Sequence, residues 1–134
     1  MTTLALLALW AQPTEAASIA GLTTYYSPGV MQTTADNRGM DLTHYAGGVA
    51  LNRAGDLGRT VWLEHEGEIS GPYLVVDCAR RGVHFESRER KDKNGMALIA
   101  EVDYRLARTW HMAGPVPVKV WFELPEHAST LQPM

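Results

Sequence analysis

Short apolar runs punctuated by glycine, proline and aspartate recur from residue 20 to residue 124. They limit the chain to folds built from short strands. Residues 20–26, with Leu22, Tyr25 and Tyr26, form the first run and stop at Ser27-Pro28-Gly29. Gly48-Val49-Ala50-Leu51-Asn52 is the second, and residues 60–63 and 72–77 flank a hairpin at Glu66-Gly67-Glu68. Residues 98–103 and 116–124 complete the set. One helix fits the pattern near 103–112: Asp103 stands at an N-cap position, Leu106, Ala107 and Trp110 recur on one face, and Gly114-Pro115 ends it. The stretch 32–41 carries the turn signal Asp36-Asn37-Arg38-Gly39, and residues 80–95, charged and poor in apolar side chains, read as a long exposed loop. A mainly β chain follows, arranged as a small barrel or a sandwich.

At 134 residues the chain has the length of a single domain with a core of its own. A net charge of -3 supplies no basic field, so nucleic acid is not an expected partner. The cluster Arg88-Glu89-Arg90-Lys91-Asp92-Lys93 interleaves acids with bases and reads as a solvated loop. Cys78 is the sole cysteine, which rules out an intramolecular disulfide. The apolar block Leu4-Ala5-Leu6-Leu7-Ala8-Leu9-Trp10-Ala11, followed by small residues around Ala16-Ala17, predicts a signal peptide over 1–17 and export to the periplasm or beyond. The block lacks a basic flank and is too short for a stable membrane span. The barrel or sandwich then occupies 20–124, with a tail over 125–134.

Two of the apolar runs end on an aspartate: Leu74-Val75-Val76-Asp77 and Leu98-Ile99-Ala100-Glu101-Val102-Asp103. A buried strand that delivers a carboxylate at its end fixes an acid or base at the rim of a rigid scaffold. Asp77 and Asp103 are therefore the candidate catalytic pair. Capping the helix accounts for Asp103 without any chemistry, which leaves Asp77 the stronger candidate. Cys78 has His84 or His111 as a conceivable base, but the spacing supports only a small half-buried thiol. His44, His65, His84, His111 and His127 are scattered, with no metal-ligand spacing, and no glycine pattern cradles a phosphate, so neither metal nor cofactor is expected. Tyr25 and Tyr26 are adjacent, so a strand turns them to opposite faces and offers one as an exposed platform for a sugar ring.

Five segments in order resemble the double-psi β-barrel proteins of the rare lipoprotein A, barwin and expansin type. They are Thr23-Thr24-Tyr25-Tyr26; Gly48 to Asn52 with Gly58-Arg59-Thr60-Val61-Trp62-Leu63; Val75-Val76-Asp77; Val102-Asp103-Tyr104-Arg105-Leu106-Ala107; and Val116-Pro117-Val118-Lys119-Val120. The resemblance covers roughly residues 21–122. It implies a six-stranded double-psi β-barrel with a cell-wall polysaccharide groove, in which Asp77 and Asp103 match the recurrent aspartates. It further implies an envelope protein that engages peptidoglycan or a related β-linked glycan. Such a protein either cleaves the glycan as a lytic transglycosylase or glycoside hydrolase, or binds it without cleavage as expansins do. Asn52 stands where rare lipoprotein A carries a histidine and, with Tyr25 and Tyr26, is an expected substrate contact. Tyr104-Arg105 replaces the usual Leu-Ser, and the barwin cysteines are absent. A protein-binding barrel that uses loop 80–95 is the alternative from another class.

Overall fold

A computed structural model describes residues 17–78 and 96–129. Six strands close into a barrel: β1 (Ser18–Tyr25), β2 (Gly47–Leu51), β3 (Thr60–His65), β4 (Glu68–Cys78), β5 (Leu98–Val102) and β6 (Val116–Trp121). Their order around the barrel is β1-β5-β2-β4-β3-β6, and β1 pairs with β6 to close it. The pairing is mixed. β1 runs parallel to β5 and β2 parallel to β4, while the remaining four pairs are antiparallel. Closure leaves no strand edge open to pair with another chain.

The runs expected from the sequence are these strands, with their ends moved by a few residues. The β3–β4 hairpin turns at Glu66-Gly67, both with positive φ (52° and 82°), the geometry that matches strand twist in a two-residue hairpin. Alternation then decides what is inside. Val49 and Leu51, Val61 and Leu63, Tyr73 and Val75, and Val118 and Val120 fill the interior, each contributing roughly 1.5–3 kcal/mol of burial. Tyr73 is in the core because its hydroxyl has a partner, Ser70 Oγ at 2.8 Å.

The helix after Asp103 is α2 (Tyr104–Thr109), shorter than the expected span, and the tail contributes a helical turn, α3 (Glu126–Ser129). A helix that the sequence reading took for a turn precedes both: α1 (Val30–Asn37) lies on the outside of the barrel. Only Met31 and Ala35, four residues apart, are buried on it, against Leu74 and Val76 of β4. Two apolar contacts among polar residues are too faint a period to announce a helix. Its C-terminus is a Schellman motif. Gly39 N–H donates to Asp36 O and Met40 N–H to Ala35 O, with Gly39 at φ 70°. The turn signal was real, but it ends a helix. Gly39→Ala forces a side chain into the left-handed region, so unfolding in urea should show a loss of about 1 kcal/mol.

The expected leader and the charged loop 80–95 lie outside the described residues, apart from Ala17 at the end of the former. Among the described residues no helix is long and apolar enough to cross a membrane.

Candidate functional site

The site is set by a bulge. Along the parallel β2–β4 pair, Val49 faces Val75 but Ala50 faces Asp77, so Val76 is an extra residue on β4. Without it Asp77 would stand opposite Leu51 and point into the core. One extra residue reverses the side of everything after it, which turns Asp77 to the outer face. β5 carries the equivalent irregularity against β1 at Leu22/Thr23, and beyond it Thr24 pairs with Glu101. Glu101 also pairs with Ala50 across β2. Thr24, Glu101, Ala50 and Asp77 therefore form one row across four strands. Two strand spacings put the Glu101 and Asp77 α-carbons about 9.5 Å apart, with Ala50, completely buried, in the row between them.

Asp77 is held by three donors. Its Oδ1 accepts from Arg38 Nη2 at 3.0 Å and from the Cys78 N–H at 2.9 Å, and its Oδ2 accepts from the Tyr26 hydroxyl at 2.5 Å. Its side chain remains 22% exposed. Each donor is positioned by a local device. Arg38 is the C-cap of α1, fixed by the Schellman turn, and Tyr26 follows β1 with its N–H bonded to Val102 O at 2.9 Å. Burial, then the hydrogen bond to Asp77, pushes the Tyr26 phenol well above its ordinary range, so it stays a donor. Three of its four acceptor positions are filled, and one on Oδ2 is left open.

Glu101 is the complement. Burial, reinforced by the charge of Asp77 and opposed by a side-chain hydrogen bond with Thr24, raises its carboxyl to about 7. The folded chain keeps this proton between about 4.5 and about 7, where the unfolded chain has released it. Stability therefore falls as pH rises through that window. The loss is about 1–2 kcal/mol once the partial exposure of the group is discounted. Glu101→Gln should remove this slope, which urea unfolding at pH 5 and pH 8 will show. Sequence reasoning placed neither Arg38 nor Glu101 at the site. The signal of Glu101 was present, as the lone charge inside the run Leu98-Ile99-Ala100-Glu101-Val102.

Asp103 and Asp77 are not brought into one cluster. Asp103 occupies the N-cap of α2, and its carbonyl accepts from Ala107 N–H at 3.0 Å. Its side chain, however, makes no capping hydrogen bond. The structural duty expected of that carboxylate is therefore not performed. Instead it lines a groove of about 400 Å³ with Tyr104, Arg105, Gln32 and Tyr45. This volume lies within the range of small-ligand sites.

Tyr25 and Tyr26 divide as adjacent strand residues must. Tyr25 is 37% exposed, with its ring 6.0 Å from that of Tyr104 at the groove. Tyr26 is half-buried on Asp77. Asn52 lies one residue past β2, half-buried, and takes no part in the hydrogen bonds that hold Asp77. Cys78 is half-buried beside Leu51, and His84 is outside the described residues. Among the described residues no three His, Cys, Asp or Glu side chains are grouped to hold a metal ion. No family model, curated protein or solved structure matches the chain. The site defines the class on its own terms: a closed six-stranded mixed β-barrel with two carboxylates on its outer face.

Proposed function

We propose that this chain is an exported cell-envelope barrel that engages peptidoglycan or a related β-linked glycan, and that the outer-face carboxylates cleave the glycosidic bond. One observation carries the reading. Glu101, its carboxyl raised to about 7, and Asp77, whose oxygens accept from three donors, share one register row with Ala50 between them. Most glycoside hydrolases divide the work between two carboxyls in this way. The groove at Asp103 and Tyr104, with Tyr25 at its side, takes the neighbouring sugars through hydroxyl hydrogen bonds and ring stacking. The resemblance to the rare lipoprotein A, barwin and expansin group supports the choice of a wall glycan over other β-linked substrates.

The expansin-like reading draws on the same groove. Asp103, free of capping bonds, is suited to accept from sugar hydroxyls, and a groove that holds glycan need not cut it. Sedimentation with purified sacculi separates these readings. The chain should co-sediment and release soluble muropeptides, and Tyr25→Ala should weaken retention three- to tenfold by removing a stacking face. Retention without release selects the binding module. Absence of both removes the glycan from the account.

A further inference from the structure

We infer that a second groove, of about 370 Å³ between the β3–β4 hairpin and the end of α2, is a further saccharide site that takes a neutral pyranose ring. The inference rests on the glycan-engaging reading above, adds a subsite to it, and uses neither Asp77 nor Glu101. His65, Glu66 and Glu68 line the groove from the hairpin, and Thr109, Trp110 and His111 line it from the helix end. Its walls are tied together. Leu106 and Trp110 pack against the barrel core, and the Trp110 ring stacks on that of His65, with centroids 4.2 Å apart and 13° between the planes. One ring from each element thus fixes the opening, and the groove stands formed before a ligand enters.

The backbone points to the same place. Among the described residues, Glu66 (φ 52°) and His111 (φ 56°) are the two non-glycine residues in the left-handed region, and both line this groove. His111 is the residue just past the cap of α2 in a Schellman motif. Its N–H donates to Arg108 O at 3.1 Å, and the Met112 N–H donates to Ala107 O at 2.9 Å. Glycine suits that position best, so the imidazole is carried there at a cost in stability. Side chains held in such backbone gather at binding sites.

The lining then selects the ligand. Ile69, Leu106 and Trp110 supply apolar surface, and carboxylates, imidazoles and two hydroxyls surround it. The Thr109 hydroxyl donates to Arg105 O at 3.1 Å, and Ser70 Oγ shares a 2.8 Å hydrogen bond with the Tyr73 hydroxyl. Both hydroxyls are therefore oriented and keep room to accept. Among the described residues two glutamates and no lysine or arginine line the groove, which opposes an anionic ligand. A small cation would use the polar rim and leave the apolar surface bare. A pyranose uses both, its C–H face on the apolar surface and its hydroxyls on the rim.

The position extends the first groove. Asp103, Tyr104 and Arg105 line that groove at the start of α2, and Thr109 and Trp110 line this one at its end. From Tyr104 to Trp110 the helix rises about 9 Å. The chain thus holds glycan at two points, which strengthens retention on a polymer.

The test is sedimentation of the full chain with purified sacculi, comparing wild type with the double variant His111→Gly, Glu68→Ala. Glycine relieves the left-handed position and Glu68 is exposed, so the variant should melt no lower than wild type. It should be retained roughly three- to tenfold less. The difference should persist in high salt, because contacts to a neutral ring are not screened. A difference that vanishes in high salt assigns the groove to a charged group and overturns the saccharide. Retention of the variant at the wild-type level overturns the second site, while wild-type retention still upholds the glycan-engaging reading. If wild type is not retained, both fall together.

Discussion

Asp56→Ala is expected to destabilise the barrel by about 2–3 kcal/mol, a fall of about 10 °C in Tm. Asp56 ends the 3₁₀ turn Ala54–Asp56 and is 4% exposed, an unusual place for a carboxylate. Its burial is tolerated because both oxygens are matched. Arg53 Nε donates to Oδ2 at 3.0 Å and Arg59 Nη1 to Oδ1 at 3.1 Å. Both guanidinium groups also lie over the Phe122 ring, Arg59 at 4.1 Å and Arg53 at 5.7 Å from its centroid. The cluster ties the segment between β2 and β3 to the residue just past β6. Removing the carboxylate leaves a void beneath two cations and releases both from the ring. The arginines are half exposed and can turn to water, which holds the loss below that of a fully buried pair. Arg53→Ala, which leaves Arg59 in place, should cost under about 1 kcal/mol. Equal losses from the two variants in a melting experiment would show that the carboxylate is not the centre of the cluster.

The barrel was legible because alternation and punctuation survive in the sequence: six apolar runs are set apart by turn and polar residues, and six strands form where they stand. The site was half legible. Asp77 stands out as a polar end to an apolar run, and its assignment to the site follows from that contrast. What the sequence does not display is the extra residue Val76, because a bulge is a relation between two strands. The face to which Asp77 turns therefore could not be read from β4 alone. Glu101 was hidden for a related reason, since its partners across the barrel, Thr24, Ala50 and Asp77, come from three other strands. Arg38 was obscured by α1, whose burial rests on Met31 and Ala35 alone. Asp103 was overinterpreted in one respect. Its position at the helix start was correct, but the capping bonds assigned to its side chain are not formed.

Asp77→Asn is expected to remove muropeptide release by at least about 100-fold while leaving the barrel folded. Asparagine keeps the shape and one carbonyl oxygen, so the Tyr26 hydroxyl or the Cys78 N–H still finds an acceptor. It loses the negative charge paired with Arg38 and, with it, the capacity to take up a proton. Arg38 is exposed enough to reach water, so the stability change should stay within about 1 kcal/mol. The same substitution withdraws the charge that helps raise Glu101, so the Glu101 carboxyl should titrate at lower pH. A loss of activity accompanied by a large fall in Tm would point to a structural role for Asp77 in place of a chemical one.

The central claim is that the outer-face carboxylates act on a β-linked glycan. Its most direct measurement is the release of soluble muropeptides from purified sacculi at pH 6 by wild type and by Asp77→Asn, with both proteins shown to be folded. The account predicts steady release by wild type and essentially none by the variant. Equal release by the two proteins, or none by wild type, would contradict it.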